Sequence, residues 1–257
     1  MVGTQALVTR VTAEDHLGDP HVGLVVPPAN PAAEPEMTRL LGSAYALHTT
    51  RFSVSRQPLR TRLESYNTEL ADRIASFGDL GLAALLVACS GSRYLLGARQ
   101  DHESCAALSA HFGLPVATAT LATHQVLRRL ETRALVLVSP YEGWLTEQCR
   151  AFWDAAGWHV RVLAVRAGDQ YAPYKVGTAE LVEQVGRARL PHDAVLLFTG
   201  TGMSTLAALP ALGHGNDRVL LTSNLCGAWW LIHQVGVVPD EGLAWALRRL
   251  AAQGLAP

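Results

Sequence analysis

Leu82-Ala-Ala-Leu-Leu-Val-Ala-Cys-Ser-Gly-Ser92 is an apolar run of strand length that stops at a cysteine and passes into small polar residues. Read as a buried strand, it implies a parallel α/β fold, where ligands collect at the carboxyl ends of strands. A thiol at that end sits in a crevice. The Ser-Gly-Ser turn can point backbone N–H groups at an anion and can activate the cysteine. Cys89 is therefore a candidate for chemistry on a small carboxylic acid. The competing reading is a buried structural thiol that happens to end a strand.

The runs on either side repeat the pattern. His21–Val26 reads as a strand halted by Pro27-Pro28, since proline cannot donate to a ladder. Residues 45–54 read as a second strand, and Ala134–Ser139 as another that ends at Pro140-Tyr141. Strands are also expected near 115–120, 160–165, 194–198 and 218–222. Helices are expected over 34–41, 59–77, 101–112, 121–130, 144–156, 179–188, 227–235 and 241–253, with one more running to Leu212. Asp101 is a candidate cap for the third of these, and residues 168–177 read as an irregular loop. Alternating strands and helices specify parallel sheets covered on both faces.

An internal symmetry sharpens that expectation. Strand-then-proline loops occur at Val26-Pro27 and Ser139-Pro140, and strand-then-small-polar loops at Cys89-Ser-Gly-Ser92 and Thr199-Gly-Thr-Gly202. The fold class is thus two pseudo-twofold-related α/β lobes, each a parallel sheet flanked by helices, with the active site in the cleft between them. The first lobe is assigned residues 20–116 and 224–257, the second 117–223.

Composition narrows the function. With 49% hydrophobic residues, 17% charged and a net charge of −1, the chain can bury a large core and shows no basic patch for nucleic acid. No apolar run approaches the roughly 20 residues that span a bilayer. Residues 1 to about 20 read as a short polar leader without the basic and apolar segments of a secretion signal. Four scattered cysteines, with no CxxC pair, suit reduced thiols and a cytoplasmic protein. Ten histidines show no HxxxH or HxH spacing, so no metal site is expected. Gly200 and Gly202 lack the rest of a dinucleotide fingerprint.

Several segments together resemble a known family. Residues 23–36, His48-Thr-Thr-Arg51, Ala88-Cys-Ser-Gly-Ser92, Ser139-Pro-Tyr141 and Thr222-Ser-Asn224 with Trp229 are similar, in order and spacing, to motifs of maleate cis–trans isomerases and arylmalonate decarboxylases. Both belong to the aspartate/glutamate racemase superfamily. The resemblance implies cofactor-independent catalysis, no metal, a small carboxylic or dicarboxylic acid as substrate, and a possible homo-oligomer. It makes Cys89 the first-lobe catalytic residue, and Asn30, Tyr141, Ser90 and Gly91 the binders of a substrate carboxylate.

One departure stands out. The family's second-lobe cysteine precedes Met203, and no cysteine is present there. Allowing one inserted residue, Thr199 takes that place as a catalytic candidate. Thr201 is the other possibility and a substrate-binding candidate. Gln170, Tyr171 or Lys175 could stand in for a family asparagine. Three enzyme readings follow. Cys89 adds to the double bond of a cis-diacid and expels the trans isomer; or Cys89 and Thr199 act on opposite faces as a racemase; or the enzyme is a decarboxylase whose enediolate Cys89 protonates. A non-catalytic carboxylate-binding relic is the alternative outside catalysis.

Overall fold

A computed structural model of the chain describes residues 18–167, 173–239 and 244–257. Most of the expected leader, together with Gln170, Tyr171 and the start of the last expected helix, lies outside the described residues.

Two four-stranded parallel sheets form the frame. The first has the order β2-β1-β3-β4, built from β1 (His21–Val26), β2 (Ala46–Arg51), β3 (Ala84–Val87) and β4 (Val116–Thr118). The second has the order β6-β5-β7-β8, from β5 (Ala134–Ser139), β6 (His159–Ala164), β7 (Val195–Phe198) and β8 (Leu220–Thr222). The central strands β1, β3, β5 and β7 are almost wholly buried, which is why their sequences are continuous apolar runs. The edge strands β2 and β6 keep partial exposure and mix in polar residues. β4 is the other edge of the first sheet.

Helices cover both sheets. They are α1 (Ala33–Leu41), α2 (Leu59–Thr68), α3 (Leu70–Ala75), α4 (Ser90–Leu96), α5 (Ala98–Phe112), α6 (Ala119–Leu127), α7 (Gly143–Ala155), α8 (Thr178–Arg187), α9 (Leu209–Gly213), α10 (Ser223–Val235) and α11 (Trp245–Ala252). Two expectations are corrected. The helix expected over 59–77 is broken at Glu69 into α2 and α3. Asp101 does not cap a helix start: α5 begins at Ala98, after Gly97, and Asp101 is buried inside it. There it accepts from the hydroxyls of Thr118 and Thr120 and lies 3.7 Å from Arg93 Nε.

Helix α10 packs on α1, α6 and β3, and its first ten residues are buried. Thr222 caps it by accepting from the Leu225 N–H. Gly227 lets it press on β3, since a Cβ there would sit 2.4 Å from Leu86 Cδ2. Its start also joins the lobes. Asn224 Nδ2 donates to Glu36 Oε2 at 2.7 Å and to the Thr201 carbonyl at 3.0 Å. Glu36 Oε1 accepts from the backbone N–H groups of Thr205 and Leu206, both at 2.7 Å.

Glu36 is thus a buried carboxylate clamp. Burial holds its pKa above the ordinary 4.5, with the Asn224, Leu206 and Thr205 hydrogen bonds opposing the rise. Since the folded pKa is raised, the linked stability is fully present below 4.5 and is lost as pH climbs through the folded value. Glu36→Ala strands three buried donors and should cost about 3–5 kcal/mol in urea unfolding. Glu36→Gln should cost less and remove that pH dependence. An Ala variant within about 0.5 kcal/mol of the parent would contradict the clamp.

Candidate active site

The carboxyl ends of β1, β3, β5 and β7 open on one cavity of about 510 Å³. Its wall includes Asn30, Cys89, Ser90, Gly91, Tyr141 and Thr201, six of the residues singled out from sequence. Cys89 is 3% exposed and sits immediately before α4. Ser92 closes that turn by donating its hydroxyl to the Cys89 carbonyl at 3.2 Å. Burial pushes the Cys89 thiol above its ordinary pKa, while hydrogen bonds from Ser92 and the charge of Arg93 oppose the shift. The Ser-Gly-Ser segment expected as a turn is the first turn of α4, whose leading N–H groups have no partner within the helix.

Asn30 has two functions. Its Oδ1 accepts from the N–H groups of Ala32 and Ala33, both at 3.0 Å, and so shapes the start of α1. Its Nδ2 donates to Thr201 Oγ1 at 3.0 Å across the cleft. Thr201 in turn donates to the Ala88 carbonyl at 2.7 Å. Ser90 donates to Ser223 Oγ at 3.4 Å. Gly91 admits Leu63 of α2 against the α4 turn, since a Cβ there would meet Leu63 Cδ2 at 3.3 Å. Arg51 ties down the carbonyls of Pro27, Pro28 and Asn30 and pairs with Glu34.

Thr199 does not line the cavity. It is fully buried, 2.6 Å from Tyr94 Oη and 3.6 Å from Cys149 Sγ. Strand register explains why. Val25 pairs with Val87 in the first sheet and Val138 with Phe198 in the second. The next residues match as well: Ala88 N–H donates to the Val25 carbonyl at 2.8 Å, and Thr199 N–H to the Val138 carbonyl at 3.1 Å. Thr199 is therefore the mate of Ala88, and the mate of Cys89 is Gly200. No insertion is needed, and the counterpart of the thiol in the second sheet is a glycine.

Gly200 has φ +94°, and a Cβ on it would lie 2.9 Å from Tyr141 Oη. Tyr141 thus covers the position that a second-lobe side chain would take. Its ring meets Tyr94 edge-on at 6.1 Å.

Sequence reasoning missed the parts of the cavity wall given by α2, α7 and the loop before α8: Arg62, Tyr66, Leu145 and Tyr174 also line it. Burial and then the Cys89 charge push Tyr66 up to about 12, and Tyr174 is raised by the same two causes. Gly202 makes room for Tyr174, whose Cε1 would lie 2.2 Å from a Cβ there. Lys175 also lines the cavity, as its place among the asparagine substitutes allowed.

The arylmalonate decarboxylase family model matches residues 22–244. The chain belongs to the arylmalonate decarboxylase family. Its fold is shared with the maleate isomerase Iso of Pseudomonas putida S16, at 17% identity over 85% of this chain and 93% of that one, TM-score 0.74. A cysteine-to-serine variant of the Nocardia farcinica maleate cis–trans isomerase, solved with a covalently bound succinylcysteine intermediate, is 23% identical over 86% of this chain and 94% of that one, TM-score 0.70. Arylmalonate decarboxylase itself is 20% identical over 86% and 94%, TM-score 0.69. No protein of curated function matches the chain by sequence. Among the described residues, no helix is long and apolar enough to cross a membrane.

The register assignment is tested by moving a thiol. Thr199→Cys should add no group that methyl methanethiosulfonate modifies in the native protein. Gly200→Cys should add one, at a cost of about 1–2 kcal/mol for a side chain at positive φ. The reverse result would restore Thr199 to the cleft.

Proposed function

We propose that the protein is a cofactor-independent isomerase of small unsaturated diacids, with Cys89 as nucleophile. The observation that carries this reading is a single cavity thiol at a strand end, at the first turn of α4, in a cavity that Gly200 also lines. Addition places sulfur on one alkene carbon and the thiol proton on the other, giving a succinyl thioether. Rotation about the new single bond and reversal of the addition release the trans isomer and the thiol. Ser90, Gly91, Asn30 and Tyr141 are the groups that hold the carboxylate as charge builds on it. One thiol suffices for this cycle. In support, the Nocardia farcinica variant carries its succinyl group although one cysteine has been replaced by serine.

The racemase pairing of Cys89 with Thr199 loses its second group, because Thr199 lies behind the cavity wall. Decarboxylation of a malonate is the second reading. It is favoured by the thiol–glycine pairing, which supplies a proton to one face only, and by the family match. The four free cysteines fit a reducing cytoplasm.

Proton NMR of the protein with maleate and with phenylmalonate separates the two. Conversion of maleate to fumarate is expected, with a loss of at least about a thousandfold in Cys89→Ala. Loss of carbon dioxide from phenylmalonate alone would move the assignment to the decarboxylase. Full turnover in Cys89→Ala would overturn both.

A further inference from the structure

Helix α2 turns Leu59, Arg62, Leu63 and Tyr66 toward the cavity, spaced i, i+3, i+4, i+7 on one face. Three of the four are apolar or aromatic, and the other is a guanidinium. Arg62 forms no ion pair among the described residues, and its Nε is buried without a hydrogen-bond partner. Other arginines near the cleft are engaged: Arg51 pairs with Glu34, and Arg93 lies against Asp101. A buried donor of this kind calls for an acceptor.

The cavity supplies no carboxylate partner for it among the described residues. No Asp or Glu lines it among the described residues, while Lys175 adds a second positive charge from the other lobe. Arg62 also lies within electrostatic reach of the thiol's surroundings. It lowers the pKa of Tyr66 and of Tyr174, the same two phenols that Cys89 raises. An anion that entered this space would meet Arg62 without displacing an internal partner, and a planar fork is suited to a carboxylate.

We propose that Arg62 is a specificity residue that binds a second anionic group of the substrate, so that the site selects acids carrying two negative charges over their singly charged analogues. The inference rests on the reading that the Cys89 end of the cavity takes a carboxylate. It adds a second anchor, contributed by α2 and separate from Asn30, Ser90, Gly91 and Tyr141.

Calorimetric titration of the full chain with succinate, glutarate and adipate, each against its monoamide, tests the assignment without requiring turnover. At least one diacid should bind about tenfold or more tightly than its monoamide, the size of a charge-assisted hydrogen bond. Arg62→Gln should abolish that gap and leave monoamide affinity within about twofold. Arg62→Lys should narrow the gap without closing it, and carries the test alone if the glutamine variant does not fold. A gap unchanged in both variants, or absent from the parent, overturns the role of Arg62. If monoamides bind and diacids gain nothing, only this inference fails. If neither class binds the parent, the carboxylate reading of the Cys89 site fails with it.

Discussion

One hydroxyl from the second lobe, that of Thr201, binds two strand ends of the first. It donates to the Ala88 carbonyl, next to the thiol, and accepts from Asn30, at the end of β1. The Thr201 carbonyl then accepts from Asn224, which also reaches Glu36. The cleft is therefore tied together beside Cys89. Both the thiol and the α4 turn behind it are held by the contact that joins the lobes. A hydroxyl used in this way has its donor and one acceptor site committed. The structure thus gives Thr201 an architectural task.

The electrostatics of the cavity follow from burial. Burial raises the pKa of Cys89, Tyr66 and Tyr174 together. Positive charge from Arg62 and Lys175 is what draws an anion into such a space. The low dielectric that raises the thiol also strengthens hydrogen bonds to the bound carboxylate.

Much of this was legible in the sequence, for identifiable reasons. Central strands of parallel sheets are apolar throughout, so β1, β3, β5 and β7 stand out, and the proline and glycine loops that follow them mark the cleft. Cys89, Asn30, Ser90, Gly91, Tyr141 and Thr201 all line the cavity, each in the segment that follows a strand. Helix α4 escaped because Ser-Gly-Ser has no apolar period and reads as a turn. The mate of Cys89 was misplaced by one residue. Only ladder register fixes it, and a shift of one turns a strand-end side chain from cavity to core. Arg62 was hidden because its importance depends on which face of α2 meets the cleft. The signal available was a basic residue inside an otherwise apolar helical stripe.

The central claim is that the cavity delivers carboxylates to one thiol, Cys89. The most direct measurement compares iodoacetate with iodoacetamide as alkylating agents of the native protein, read by peptide mass spectrometry at each cysteine. Cys105, Cys149 and Cys226 are buried and do not line the cavity, so they serve as internal references. The account predicts that Cys89 is labelled first, that the anionic reagent reacts faster there than the neutral one, and that maleate slows the reaction. Equal or slower labelling of Cys89 by iodoacetate, with no protection by maleate, would contradict it.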